Sequence, residues 1–178
     1  MKLAKIALIV AMGLSGISVA NAAASGTTTY DTGKVTFTGS IVDTPCSITP
    51  DTADQTVDLG HVSKTVLENA GVSQSTPFNI QLEDCDISTQ STVAVTFTGG
   101  ADTNDNTLLG LNGTAAGAGI VIADQSGDQL DLGTQSQAQT LQNGPNTLQF
   151  SAWLKNDGAG NVVAGDFTSV ANFQLAYQ

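Results

Sequence analysis

The chain has 178 residues and a net charge of −11 at pH 7, because 16 acidic residues face only five lysines and there is no arginine. Nucleic acids and anionic lipids bind clustered positive charge, so this composition argues against both as partners. The acidity is typical of a solubilising surface.

Residues 1–22 have the layout of a secretory signal peptide. Lys2 and Lys5 precede an uncharged apolar stretch at residues 6–19, and Ala20 and Ala22 form an A-x-A cleavage signal. The stretch is shorter than the ~20 residues that span a bilayer comfortably. Cleavage would leave 178 − 22 = 156 residues, which suits one domain, with three lysines against 16 acids and a net charge of −13. We therefore expect an exported mature chain.

The next feature is an alternating run at residues 34–42, which follows a small, polar leader. Val35, Phe37, Gly39 and Ile41 share one face of the predicted strand. Burying the three apolar side chains would contribute about 1.5–3 kcal/mol each. Glycine weakens a strand unless another group approaches closely, so Gly39 predicts a tight contact. The run is either an ordinary first strand or a segment that inserts into a groove.

Cys46 and Cys85 are the two cysteines of the chain. Both lie in the exported part, where oxidation is expected, so a disulfide between them would close a loop of about 40 residues. On the chain-entropy estimate, that bond would stabilise the fold by roughly 4 kcal/mol.

Short alternating runs separated by turn residues predict an all-β sandwich or barrel. One brief helix is expected within residues 62–69, with Ser63 able to cap it. The candidate strands occupy residues 34–42, 55–59, 78–82, 92–98, 120–123, 147–154 and 167–177.

No catalytic or metal-binding constellation emerges from the sequence. His61 is the only histidine and has no nucleophile motif to serve. Asp102, Asn104 and Asn106 have the spacing that opens a calcium loop, but Thr107 and Gly113 stand where that loop needs glycine and glutamate. We therefore predict neither an enzyme nor a cofactor.

The last predicted strand alternates up to the end of the sequence. Phe167, Phe173, Leu175 and Tyr177 are its main apolar residues, and no later segment is available to pair with it. An uncovered strand edge invites another chain, so the pattern indicates a subunit that is completed by a neighbour.

Three segments together resemble the chaperone-usher pilins, with the major rod subunits of P-type and type 1-like fimbriae most similar. The resemblance covers essentially the whole predicted mature chain. It rests on GKVTFTGSIVDTPCSI at residues 33–48, LEDCDI at residues 82–87 and GDFTSVANFQLAYQ at residues 165–178.

This resemblance implies an incomplete immunoglobulin-like β-sandwich that lacks its seventh strand and has one disulfide, between Cys46 and Cys85. A hydrophobic groove beside the last strand would be filled first by a periplasmic chaperone, and then at an outer-membrane usher by the extension of the next copy. The implied donor residues are Val35, Phe37, Gly39 and Ile41, and the implied chaperone-binding and groove residues are Gly165, Phe167, Phe173, Leu175 and Tyr177.

The predicted organisation is a signal peptide at residues 1–22, a donor extension at 23–41 and a pilin domain at 42–178. The predicted function is a structural subunit that polymerises into a cell-surface adhesive rod, with minor tip subunits as further partners. Two alternatives stay open, a minor adaptor subunit and a secreted sugar-binding β-sandwich that is complete on its own.

Overall fold

The computed structural model describes residues 31–41 and 43–178. The predicted signal peptide and Val42 lie outside the described residues. Residues from Ile41 to Gln178 form one compact unit, and the described residues before Ile41 belong to a separate unit. The predicted boundary between residues 41 and 42 stays a prediction.

Two antiparallel sheets carry the fold, together with a two-stranded ribbon. The first sheet has the order β1-β2-β7-β5, the second β6-β3-β9, and the ribbon joins β4 to β8. The strands are β1 (Ser47–Ile48), β2 (Thr76–Cys85), β3 (Thr92–Gly99), β4 (Asn112–Gly113), β5 (Ala118–Asp124), β6 (Gln139–Thr140), β7 (Gly144–Asn156), β8 (Phe167–Thr168) and β9 (Ala171–Tyr177).

The two sheets pack face to face around one apolar cluster. Ile80 and Leu82 from β2 and Phe150 from β7 meet Val95 and Phe97 from β3. Period-2 alternation explains this arrangement, because it turns every second side chain of each strand inward. A second cluster, which includes Leu109, Ile120, Leu154 and Val162, continues the core.

Four predicted strands are confirmed within longer ones: residues 78–82 in β2, 92–98 in β3, 120–123 in β5 and 147–154 in β7. The prediction of one continuous strand at residues 167–177 is wrong in its extent. Phe167 pairs with Gly113 of the ribbon, whereas Ala171 pairs with Gly99 of the second sheet, so the segment changes sheet between them.

Two other predicted strands are absent from the described residues. Residues 34–41 form no strand, because none of the other described residues pairs with them. Residues 55–59 form none either, although Val57 and Leu59 are half-buried as their alternation predicts. There, the side-chain amide of Gln55 donates to the carbonyl of Asn79 and takes a place that a strand would occupy.

The predicted helix is confirmed as α2 (Lys64–Leu67), and the sequence analysis missed α1 (Pro50–Ala53). Pro50 at the first helical position, directly after Thr49, was the available signal for α1. Ser63 does precede α2, but its hydroxyl bonds to that of Thr65 rather than capping the helix. Among residues 31–41 and 43–178, no helix is long and apolar enough to cross a membrane.

Candidate functional site: the open edge beside β9

Strand β9 lies at an edge of the second sheet and pairs with β3 alone among the described strands. Gln178 and Thr92 exchange both main-chain hydrogen bonds, each 3.0 Å long. In an antiparallel ladder, hydrogen-bonded pairs alternate with pairs whose main-chain groups point away from the partner strand. Counting from Gln178, the main-chain groups of Asn172, Gln174 and Ala176 bond to β3. The main-chain groups of Phe173, Leu175 and Tyr177 therefore point outward.

This outward edge is largely unpaired. The carbonyl of Tyr177 accepts a 3.2 Å hydrogen bond from Nε2 of Gln90. The outward N–H and C=O groups of Phe173 and Leu175 have no partner within residues 31–41 and 43–178. A row of such groups is a template for another strand.

The inner face of β9 is also incompletely covered. Phe173, Leu175 and Tyr177 are half-buried, whereas their β3 partners Phe97, Val95 and Val93 are at most 4% exposed. Both sets of side chains face the same apolar cluster, so the core is closed over β3 and open along β9. Partial burial disfavours the phenolate and raises the pKa of Tyr177.

Four phenylalanine rings pack against one another next to this open face. The rings of Phe173 and Phe97 lie 6.4 Å apart between centroids, and Phe97 stands edge-on to Phe150 at 5.1 Å. Phe78 stacks on Phe150 at 5.6 Å and is itself half-buried. Such aromatic pairs stabilise the packing beyond simple area burial, so they support the position of Phe173 beside the open edge.

We use the name acceptor face for the four half-buried apolar side chains of β9 that pack against the first core cluster, which are Ala171, Phe173, Leu175 and Tyr177. Ala171 contacts both core clusters, so the face runs from the first cluster to the second. Phe78 of β2 and Leu132 are also half-buried against both clusters. They belong to other parts of the fold, because Leu132 precedes Gly133, whose N–H bonds to Phe97 on the edge of β3 opposite β9.

Two of the predicted groove residues lie away from β9. Phe167 belongs to β8 and packs half-buried against the second cluster, near the end of the acceptor face marked by Ala171. Gly165 precedes β8, and a Cβ at this position would stand 2.6 Å from the main-chain nitrogen of Ala115. Glycine is needed there because the chain passes against the segment of Thr114 and Ala115. Its predicted role in the groove stays a prediction.

The predicted donor residues lie in the N-terminal segment with their side chains exposed. The exposed fractions are 75% for Val35, 89% for Phe37 and 104% for Ile41. A Cβ at Gly39 would meet no heavy atom within 4 Å, so the predicted tight contact is not made within one copy. Three large apolar side chains in this state cost free energy until another surface covers them.

Cys46 and Cys85 form a disulfide with an S–S distance of 2.10 Å. Both residues are buried in the first core cluster, so the bond ties the segment before β1 to the end of β2. This placement anchors the chain directly after the exposed N-terminal segment.

The open edge and the acceptor face offer the contacts that strand addition uses. His61 is exposed, and within residues 31–41 and 43–178 no three His, Cys, Asp or Glu side chains are placed to hold a metal. The open edge supplies main-chain hydrogen bonds, and the acceptor face supplies apolar contacts for alternate side chains.

Comparison with known proteins agrees with this geometry. The family described as fimbrial protein matches residues 35–178. The Fimbria A protein of Serratia marcescens is 51% identical and the major MR/P fimbria protein of Proteus mirabilis 46% identical, each over the full length of both chains.

Two solved structures share the fold. The P pilus rod subunit PapA superposes with a TM-score of 0.68 at 35% identity, over 76% of this chain and 100% of its own. A chain from a chaperone-usher pilus structure, which addresses rod uncoiling, gives a TM-score of 0.75 at 37% identity, over 83% of this chain and 96% of its own. These likenesses confirm the predicted incomplete immunoglobulin-like sandwich.

Proposed function

The chain belongs to the fimbrial protein family and is a structural subunit of surface pili that associates with its own kind, and on that premise we propose that it polymerises by donating residues 35–41 to the open edge of the next copy. One observation carries the proposal. The acceptor face is half-buried, whereas the inward side chains of β3 beside it are at most 4% exposed, so the acceptor face lacks the cover that one more strand would give. The missing cover is extended, apolar on alternate residues and able to bond to the edge of β9.

The exposed N-terminal segment has these properties. Val35, Phe37 and Ile41 present three apolar side chains at period 2, and Gly39 leaves space where a side chain would stand. Covering them on a second copy would remove apolar area from water on both partners, at about 25 cal/mol per Å² of that area. The strand pairing adds main-chain hydrogen bonds to Phe173 and Leu175.

The same edge needs cover before assembly, because an exposed edge with an apolar face is an aggregation hazard. We propose that a periplasmic chaperone supplies a temporary strand there, that an outer-membrane usher is the place of exchange, and that minor tip subunits complete the pilus. This route includes cleavage of residues 1–22 and transit through the periplasm. The sugar-binding and minor-adaptor alternatives are not favoured, since the two relatives described above are fimbrial proteins and one is a major subunit.

The decisive test substitutes Gly39→Arg and compares it with Thr38→Arg. Both variants add the same charged side chain to the exposed segment, but on opposite faces of the donor strand. We expect Gly39→Arg to block fibre growth and Thr38→Arg to permit it, as counted by electron microscopy of surface fibres. Normal fibres from Gly39→Arg would refute the donor register.

A further inference from the structure

The edges of the two sheets differ in how they are covered. Strand β5 is closed by main-chain hydrogen bonds, with Ile120 and Leu109 exchanging bonds of 2.8 and 2.9 Å and Leu130 donating to Ile122 at 2.8 Å. Beyond short β6, the outer edge of β3 is closed by Ser136, which bonds both main-chain groups of Val95. The β9 edge is the open one already described.

The remaining edge, on β2, is covered by short β1 at one end and by hydrogen bonds from residues 49–55 further along. Short β1 pairs with Leu82 and Glu83 only. Further along, the N–H of Gln81 donates to Oγ1 of Thr52 at 3.1 Å, and the carbonyl of Gln81 accepts the N–H of Thr49 at 3.0 Å.

Gln55 and Pro77 continue this cover. Nε2 of Gln55 donates to the carbonyl of Asn79 at 2.9 Å. Pro77 is two residues further along, so it is the next residue to face the edge, and proline has no N–H to offer a strand. Both main-chain groups of Gln81 and the carbonyl of Asn79 are thus bonded, and Pro77 lacks an N–H, so the Asn79 N–H and the Pro77 carbonyl are the groups left for an incoming strand on this stretch.

We propose that Thr52, Gln55 and Pro77 block the β2 edge against strand addition, so that the extension of a second copy is directed to β9. This inference rests on the proposed donor-strand assembly. A subunit with two receptive edges could accept two extensions and start a branch, whereas one receptive edge makes growth linear. Helix α1 serves this purpose by placing Thr52 and the following Gln55 over β2.

The test measures how many donor strands one chain accepts. The full chain is saturated with a synthetic peptide of residues 31–43, and peptides bound per chain are counted by native mass spectrometry. The edge-opened variant carries Gln55→Leu and Pro77→Thr, two exposed positions. The matched control carries Gln125→Leu and Pro145→Thr, exposed positions that lie after β5 and in the central strand β7.

We expect the edge-opened variant to bind one peptide more than the wild type, with at least roughly threefold higher affinity for that added peptide than the control shows. Equal counts and affinities in the three proteins would overturn the inference. The inference is tested by the difference in bound peptides between the variant and the wild type. It can therefore be judged separately from the proposed donor mechanism. A wild type that binds no peptide would refute the proposed function, while a gain in the variant would still support edge blocking. If Pro77→Thr disturbs folding, Gln55→Leu alone against Gln125→Leu gives the same comparison.

Discussion

At the residue scale, alternation within β9 separates two roles. Asn172, Gln174 and Ala176 bond to β3 through their main chain, whereas Phe173 and Leu175 turn their main-chain groups to the open edge and their side chains to the core. One residue of register shift would exchange these roles, because the period of a strand is two. The same reasoning assigns Val35, Phe37 and Ile41 to one face of the donor segment.

Tyr177 offers a pH-dependent test of the open face. We expect its hydroxyl to titrate above its ordinary pKa of 10.0, because partial burial disfavours the phenolate. The pKa of Tyr177 is thus higher in the folded chain than in the unfolded chain. The contribution of Tyr177 to the free energy of unfolding is therefore complete below about pH 10 and is lost as pH rises through the folded pKa.

An absorbance titration of the phenolate band, compared between wild type and Tyr177→Phe, measures this pKa. Adding the donor peptide of residues 31–43 should move the pKa further upward, since the peptide removes the remaining water from the ring. A Tyr177 pKa unaffected by saturating peptide would argue against cover at this end of β9.

At the element scale, the C-terminal segment shows that an alternating sequence pattern can be divided between two strands. Phe167 and Ala171 both pack on the second cluster, yet they belong to β8 and β9 in different sheets, with exposed Val170 between them. The sheets set this break, because β3 ends at Gly99, opposite Ala171, and offers no further partner. Periodicity alone contains no information about where a neighbouring strand ends.

The disulfide is the element that fixes the start of the domain. It closes a loop with a sequence separation of 39. We expect Cys46→Ser with Cys85→Ser to lower the free energy of unfolding by about 4 kcal/mol on the chain-entropy estimate. Urea denaturation of the peptide-complemented chain, with and without the substitutions, measures the difference. An unchanged denaturation midpoint would show that the bond contributes little to stability.

At the scale of the whole molecule, the acceptor face lies in one unit, whereas the donor-like side chains of Val35 and Phe37 lie in another and Ile41 stands where the first of these units begins. The acceptor face is half-buried and the three donor-like side chains are exposed. Under the proposed function, polymerisation would cover both at once.

Deleting residues 23–41 separates the two halves of this arrangement. We expect the shortened chain to bind its chaperone and to accept the extension of a wild-type copy, but to donate no strand. Co-purification from the periplasm tests chaperone binding, and fibre length in mixtures with wild type tests donation. A stable, chaperone-free monomer of the shortened chain would contradict the proposal, because its acceptor face would then need no cover.

Much of this protein follows from local chemistry that is readable in the sequence. Period-2 alternation predicted β2, β3, β5, β7 and the inward face of β9, since it depends only on which side of a strand each residue takes. Two cysteines in an exported chain left one intramolecular pairing.

Tertiary structure decided which edges are closed and where strands end. Residues 55–59 alternate like a strand but form no ladder, because Gln55 occupies the edge of β2 through its side chain. Residues 34–41 alternate as well but form no strand, because a strand needs a neighbour and residues 43–178 provide none for this segment. Hydrogen-bond pairing joins residues far apart in the chain, so the sequence by itself determined the faces of the strands, and only the assembled sheets decided which edge remains open.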